Sequence, residues 1–223
     1  MTYKVILNYF CNFIISKKKT NKLKKMTRPD EYNLVIGITS LWLLIPVSGG
    51  LLSIFKIKKP IFMTSILIFW TFTSSCLSTV MWKSYKKNRF LYKLDLICAT
   101  TEFIILLLYS IFFNQFSIWI NFSFPFGLLT MYIITDHYNN SHNWLANTWS
   151  HITFRYIGYW WCYVVLINDK NIWRSFILQS FVYYCHIFIK IKLIFSNKSF
   201  DINKNYKSSV LEMIFIIILT SIL

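Results

Sequence analysis

Charged residues are scarce in this sequence, and cysteine pairs and the common catalytic motifs are absent. Only 14% of the residues are charged, against roughly a quarter in soluble domains. The five cysteines are scattered without a CxxC pair, so neither a disulfide framework nor a zinc ribbon is indicated. The chain also contains no Gly-rich phosphate loop, GxSxG elbow or HExxH helix. The usual signatures of nucleotide-binding proteins, serine hydrolases and zinc proteases are therefore absent.

The sequence also lacks a stretch long enough for a soluble domain. Apolar segments follow one another with little between them, and a bilayer core requires about 20 apolar residues of helix per crossing. In a soluble protein, the net charge of +16 would indicate nucleic-acid binding. Because no soluble region carries this charge, we interpret it as basic residues that flank membrane spans and contact anionic lipid headgroups. The predicted partners are membrane lipids, not nucleic acid.

The apolar segments predict an all-α, polytopic bundle of six or seven transmembrane helices in residues 33–223. The predicted spans are 33–55, 61–82, 94–113, 116–135, 144–167, 173–195 and 209–223. In the last segment, the uninterrupted apolar run starts only after Glu212. This segment is therefore either a short span or a helix that lies against the bundle.

Loop charges predict an integral membrane protein whose N-terminus faces the cytoplasm. Of the 24 Lys and Arg residues, five lie in the predicted outside loops, Arg155 lies in a span, and the other 18 lie inside. Loop 136–143 should also face inside, but it carries no Lys or Arg. Residues 1–32 are interpreted as a basic cytoplasmic segment, with Met26 as an alternative start. Without residues 1–25, the inside count falls to 11.

Ionisable and polar residues inside the spans are costly in a membrane and usually functional. Asp95 and Glu102 lie seven residues apart on one face of the third span. The fifth span carries a ladder at i, i+4 and i+8, which consists of Asn147, His151 and Arg155. In the predicted topology, the polar face of the third span and that of the fifth span both lie in the inner leaflet. We therefore expect these two sets of side chains to lie close together.

The second span ends at the same side and is rich in hydroxyl groups, among them Ser78. Two interpretations of this polar group stay open. It forms a binding or catalytic cleft, with Glu102, Asn147 and Arg155 as binding residues. Alternatively, Asp95–His151 and Glu102–Arg155 are buried pairs that hold the bundle together, and the hydroxyl groups allow close helix packing.

Two stretches of the sequence resemble the CREST membrane-hydrolase superfamily, which includes alkaline ceramidases, progestin/adipoQ receptors and hemolysin-III-like proteins. They are SSCLSTVMWKSYKKNRFLYKLDLICATTEF and HNWLANTWSHITFRYIGYW. The family pattern is a Ser and a nearby His at the end of the second span, an Asp at the start of the third, and HxxxH in a late span. The resemblance implies a metal, usually zinc, held by three His, while the Asp and Ser assist attack of water on a lipid amide.

Ser78, Asp95 and His151 match this pattern, and the resemblance implies that they are the catalytic residues. No His lies near Ser78, Asn147 stands where the first His of HxxxH is expected, and the late motif falls in the fifth span instead of the seventh. Because a zinc site needs about three protein ligands, the metal site is incomplete. His151 is the one family ligand present, and His142 in the loop DHYNNSH is the nearest reserve, although a solvated loop is the alternative interpretation.

The sequence thus predicts a non-enzymatic or degenerate multi-pass membrane protein with a polar cluster in the inner leaflet. The alternatives are a CREST-like metal-dependent lipid-amide hydrolase, a small-solute transporter, and a subunit of a membrane complex. Zinc is the cofactor to consider, and we expect less than one equivalent. A lipid substrate or a membrane-protein partner follows from the corresponding alternative.

Overall fold

The computed structural model describes residues 28–56, 61–83, 89–113, 118–167, 172–196 and 201–222. These residues contain helices and no strand, which confirms the predicted all-α class for this part of the chain. Membrane-spanning segments favour helices because every backbone polar group then finds its partner within the segment. Residues 1–27, which include most of the predicted basic segment and the alternative start at Met26, lie outside the described residues.

The helices follow the predicted apolar segments closely. They are α1 (Asp30–Ser40), α2 (Leu44–Lys56), α3 (Ile61–Lys83), α4 (Arg89–Phe113), α5 (Ile118–Asn140), α6 (Trp144–Ile167), α7 (Ile172–Ser196) and α8 (Ile202–Ile222). A 3-10 turn, Leu41–Leu43, connects α1 to α2 without a break in the helical path. Asp30 and Glu31 occupy the first turn of α1, where acidic side chains complement the helix dipole.

Four of the described helical segments are long and apolar enough to cross a membrane, which indicates an integral membrane protein. They are Asp30–Leu52, Ile61–Lys83, Phe90–Phe113 and Arg174–Ser196. Helix α6 is not among them, because Asn, His, Arg and many Trp and Tyr residues lower its apolar character. The count of six or seven spans therefore stays a prediction.

The first helical segment and α6 form the centre of the bundle. In the span that starts at Asp30, 78% of the most apolar window is buried, against 28% in α4 and 22% in α7. Trp42 from the 3-10 turn packs edge-to-face on Tyr159 of α6 and Tyr183 of α7, with ring centroids 5.7 and 5.0 Å away. Trp161 of α6 is fully buried and donates to the Ser110 hydroxyl at 2.9 Å.

The outer helices α4 and α7 present large apolar side chains on their exposed faces. These include Ile97, Ile104, Phe112, Ile177, Phe181 and Phe188. A contiguous apolar surface of this kind is unfavourable in water and normal against lipid tails. The outer faces therefore fit the membrane environment that the sequence predicts.

The predicted loop 136–143 is mostly helical, so the sequence interpretation of this segment was wrong. Helix α5 continues to Asn140, and His142 adopts the left-handed conformation, with φ of 57°, that commonly ends a helix. The Asn143 side chain then accepts a hydrogen bond from the backbone N–H of Ala146 at 3.1 Å and caps α6. Helices α5 and α6 thus form a hairpin that is longer than predicted.

Contacts between helix ends agree with an alternating up-and-down arrangement. Tyr32 at the start of α1 packs on Phe195 at the end of α7, with ring centroids 4.9 Å apart. At the same end of the bundle, the Lys83 Nζ at the end of α3 lies 4.8 Å from the ring centroid of Tyr206 at the start of α8. The candidate residues on α3, α4 and α6 lie between this end and the middle of the bundle.

Candidate functional site

Arg155 of α6 is the centre of a buried polar group to which α3 and α4 also contribute. Its Nη2 donates a hydrogen bond to the Ser78 Oγ on α3. Its positive charge also acts on the carboxylates of Asp95 and Glu102, both on α4 and both 8% exposed. Ser78 is completely buried and also interacts with Asp95. Four of the predicted site residues therefore lie together, and we call Ser78, Asp95, Glu102 and Arg155 the Arg155 cluster.

The carboxylates of the Arg155 cluster have few direct hydrogen-bond donors. Among the described residues, neither forms a close salt bridge with Arg155. Asp95 Oδ1 is buried without a hydrogen bond. Glu102 Oε1 accepts a weak bond from the Cys162 thiol, with sulfur 3.7 Å away. Such incomplete pairing of buried carboxylates is expensive in a membrane interior.

Two hydroxyl groups on α3 also lie close to Glu102. Thr71 and Ser74 are 0% and 1% exposed, and both interact with the Glu102 carboxylate. Neither hydroxyl oxygen makes a hydrogen bond of normal geometry within the described structure. Glu102 thus lies beside two buried hydroxyl groups whose hydrogen-bonding capacity is incompletely used in the described structure.

The pairing along the helices differs from the predicted one. Asp95 interacts with Arg155 and not with His151, and Glu102 lies beside Cys162 as well as Arg155. The predicted neighbourhood of Glu102 and Arg155 is therefore retained, whereas Asp95 interacts with Arg155 where His151 was expected.

His151 lies in a cationic environment. Its ring packs edge-to-face on Trp82, with centroids 5.2 Å apart, and the charges of Arg28 and Arg155 both act on it. Two guanidinium groups repel a divalent cation, so this environment opposes metal binding at His151.

His142 lies on the exposed turn before α6, with its ring 5.3 Å from that of Trp144. Since α6 begins at Trp144, about 10 Å of helix separates the two histidines along the axis at 1.5 Å per residue. Among the residues that the structure describes, no three His, Cys, Asp or Glu side chains gather as a metal site would require.

Asn147 belongs to a second polar group at the end of the bundle. It is completely buried, donates from Nδ2 to the Thr135 carbonyl at 2.7 Å, and accepts a hydrogen bond from Arg28 Nη2. Arg28 Nη2 also lies 3.2 Å from Asn139 Oδ1, and the Arg28 guanidinium lies 5.2 Å from the ring centroid of Trp82. Asn147 therefore connects the start of α1 to the α5–α6 hairpin.

Sequence reasoning missed Arg28 because it counted this residue only as a loop charge. Of the two asparagines that accept its hydrogen bonds, Asn139 lies in the predicted loop 136–143 and Asn147 in the predicted fifth span. The available signal was Asn143, whose position directly before an apolar run indicates the N-cap of α6 and therefore where the turn between α5 and α6 ends.

A separate ionic group joins α7 to α8. Lys190 Nζ lies 2.6 Å from the Glu212 carboxylate, His186 Nε2 lies 3.3 Å from it, and the Ser208 hydroxyl donates to it at 2.8 Å. His186 Nδ1 accepts a hydrogen bond from Trp42 Nε1 at 3.3 Å. We call Lys190, His186, Ser208 and Glu212 the Lys190 cluster. Its carboxylate, unlike those of the Arg155 cluster, has several close donors.

The chain matches no protein-family model, and comparisons with curated proteins and with solved structures find no match either. The function is therefore inferred from the side-chain contacts described above.

Proposed function

We propose that this chain is a non-enzymatic, multi-pass membrane protein, a divergent relative of the CREST proteins whose polar cluster no longer activates water. The observation that carries this proposal is the position of Arg155. Its guanidinium donates to Ser78 and acts electrostatically on Asp95 and His151, the residues that the resemblance makes catalytic. A guanidinium thus supplies positive charge to the residues among which the resemblance implies a metal cation.

The chemistry of the donor set supports the same proposal. A catalytic zinc site has about three protein ligands and an open position for water. Here one imidazole, His151, lies near two arginines, and Asn147 is engaged with Arg28 and the Thr135 carbonyl. A zinc ion at His151 would be repelled by both guanidinium groups and would compete with Arg155 for the same negative charge.

In this proposal, the Arg155 cluster joins α3, α4 and α6 within the membrane. A buried charge whose partner is removed is strongly destabilising, so the three helices are held in one arrangement. The exposed apolar faces of α4 and α7 contact lipid tails, which makes membrane lipids the direct partners of the chain. In this proposal, the chain is a transporter for a small solute or a subunit of a membrane complex, and the cluster is a structural or gating element of it.

Metal analysis of the detergent-purified protein tests this proposal. We expect less than one equivalent of zinc in the wild-type protein, because a single imidazole beside two arginines is a weak site. A His151→Ala variant is the matched sample and should hold the same small amount. Stoichiometric zinc that disappears in His151→Ala would refute the proposal.

The alternative function is a CREST-like metal-dependent lipid-amide hydrolase. The observation that favours it is the contact between Ser78 and Asp95, which lie on different helices yet interact as the family pattern implies. In that case, Asp95 positions water, and His151 is a metal ligand or general base. Stoichiometric, His151-dependent zinc is the result that would select this function.

We also propose that six or seven helices cross the membrane and that the N-terminus is cytoplasmic. The excess of basic residues in alternate loops supports this orientation. N-glycosylation acceptor tags inserted at residues 141–143 and next to residue 168 provide the test. We expect modification only at the second position, because only that loop would face the lumen. Modification at 141–143 alone would reverse the orientation.

A further inference from the structure

The charges within the Arg155 cluster do not balance. One guanidinium acts on two buried carboxylates, so when both are ionised one negative charge has no compensating cation in the Arg155 cluster. The other ionisable groups close to Glu102 are the thiols of Cys98 on α4 and Cys162 on α6, which do not supply a positive charge. His151 and Arg28 lie further toward the end of the bundle, where they interact with each other.

The uncompensated charge coincides with unsatisfied oxygen atoms. Thr71 Oγ1 and Ser74 Oγ are fully buried, interact with Glu102 and make no normal hydrogen bond in the described structure. Thr71 and Ser74 lie three residues apart, which places both on the face of α3 that approaches α4. A carboxylate with two hydroxyl groups provides the hard oxygen ligands that alkali and alkaline-earth cations prefer.

We propose that Glu102, Thr71 and Ser74 form an intramembrane site for a single sodium ion. The ion would neutralise the remaining negative charge and coordinate two hydroxyl oxygens that make no hydrogen bond of normal geometry in the described structure. A monovalent ion fits better than a divalent one, because Arg155 already compensates one of the two carboxylates. The inference rests on the non-enzymatic proposal, since a catalytic zinc nearby would supply the missing positive charge itself.

The Lys190 cluster shows what a fully paired carboxylate looks like in the same protein. Glu212 accepts hydrogen bonds from Lys190 and Ser208 at 2.6 and 2.8 Å and lies 3.3 Å from His186. In contrast, the hydrogen bond that Glu102 Oε1 accepts comes from the Cys162 thiol, whose sulfur lies 3.7 Å away. Glu212 therefore needs no ion, and Glu212→Gln serves as the matched control for Glu102→Gln.

Equilibrium binding of radioactive sodium to the detergent-purified full chain tests the site, with choline chloride keeping the ionic strength constant. We expect about one equivalent in the wild type and in Glu212→Gln, and none in Glu102→Gln. Thr71→Val and Ser74→Ala keep the charge and remove one ligand each, so we expect affinity to fall by about tenfold or more in each. Gel filtration of every variant verifies that the protein stays folded.

Three results would overturn the inference. The first is no sodium binding by folded wild-type protein, and the second is equal binding by wild type and Glu102→Gln. The third is a wild-type thermal stability that responds to pH but not to sodium, because a proton would then take the place of the ion. None of these results changes the zinc content, so the non-enzymatic proposal is tested separately.

Discussion

The Arg155 cluster and the Lys190 cluster contain similar residue types but are paired very differently. In the Lys190 cluster, one carboxylate meets an ammonium group, a hydroxyl and an imidazole, and the Glu212 side chain is 41% exposed. In the Arg155 cluster, two carboxylates that are 8% exposed share one guanidinium without a close salt bridge.

The difference shows that the more deeply buried carboxylates of this protein are not the ones with more hydrogen-bond donors. The exposed carboxylate has the complete set of donors, although solvent or lipid headgroups could satisfy it at little cost. The buried carboxylates are incompletely paired, although their environment makes an unpaired charge expensive. An arrangement that opposes stability in this way usually serves a function, which is why the Arg155 cluster is the better candidate site.

The largest effect is expected from Arg155→Met, because it leaves Asp95 and Glu102 in the bundle without a cation. We expect the folded state to lose about 3 kcal/mol, the scale for a buried charge that loses its partner. The measurement is the fraction of monodisperse protein after heating in detergent. Adding Glu102→Gln to Arg155→Met should recover part of the loss. A double variant less stable than the single one would show that charge is not the cause.

An intermediate loss of stability is expected from Asn147→Leu. This variant tests how much the hydrogen bonds of the buried Asn147 side chain stabilise the bundle. The change removes the acceptor of Arg28 and the donor to the Thr135 carbonyl. We expect a loss of about 1–3 kcal/mol, since buried polar groups are left without partners. Asn139→Ala is the control and should cost less, because Asn139 is only partly buried and supplies one acceptor at 3.2 Å. Equal losses would contradict this assignment.

The smallest effect is expected from Lys190→Met. Glu212 is partly exposed and keeps Ser208 and His186 as neighbours, so the loss should be no more than about 1 kcal/mol. Thermal stability measured at low and high salt should differ less in the variant than in the wild type, because screening acts on this pair. A loss as large as that of Arg155→Met would remove the distinction between the two clusters.

Helix positions and much of the Arg155 cluster could be predicted from the sequence. Apolar runs of spanning length locate the helices, and ionisable residues inside such runs stand out because they are rare there. Asp95 and Glu102 share a face by their spacing of seven, and the structure places both near Arg155, as the sequence predicts for Glu102.

The axial pairing and the end of the bundle could not be predicted in the same way. Residue spacing determines which face of a helix a side chain occupies, but it does not determine how far one helix is shifted along its neighbour. His151 was therefore assigned to Asp95, whereas its neighbours are Trp82 and two arginines. The charge count also treats Lys190 only as an inside charge, whereas in the structure it pairs with Glu212 of α8.

The hydrogen bond between Arg28 and Asn147 has a consequence for how the protein is made. It joins residues 119 positions apart, and the first helical segment is also the most buried of the four candidate spans in the described structure. At a synthesis rate of roughly 5–20 residues per second, the first helix would wait on the order of ten seconds for its partner to leave the ribosome. During that time its buried face must be covered by lipid or by an insertion factor. Biogenesis of this bundle is therefore most vulnerable at its first helix, long before the polar cluster can assemble.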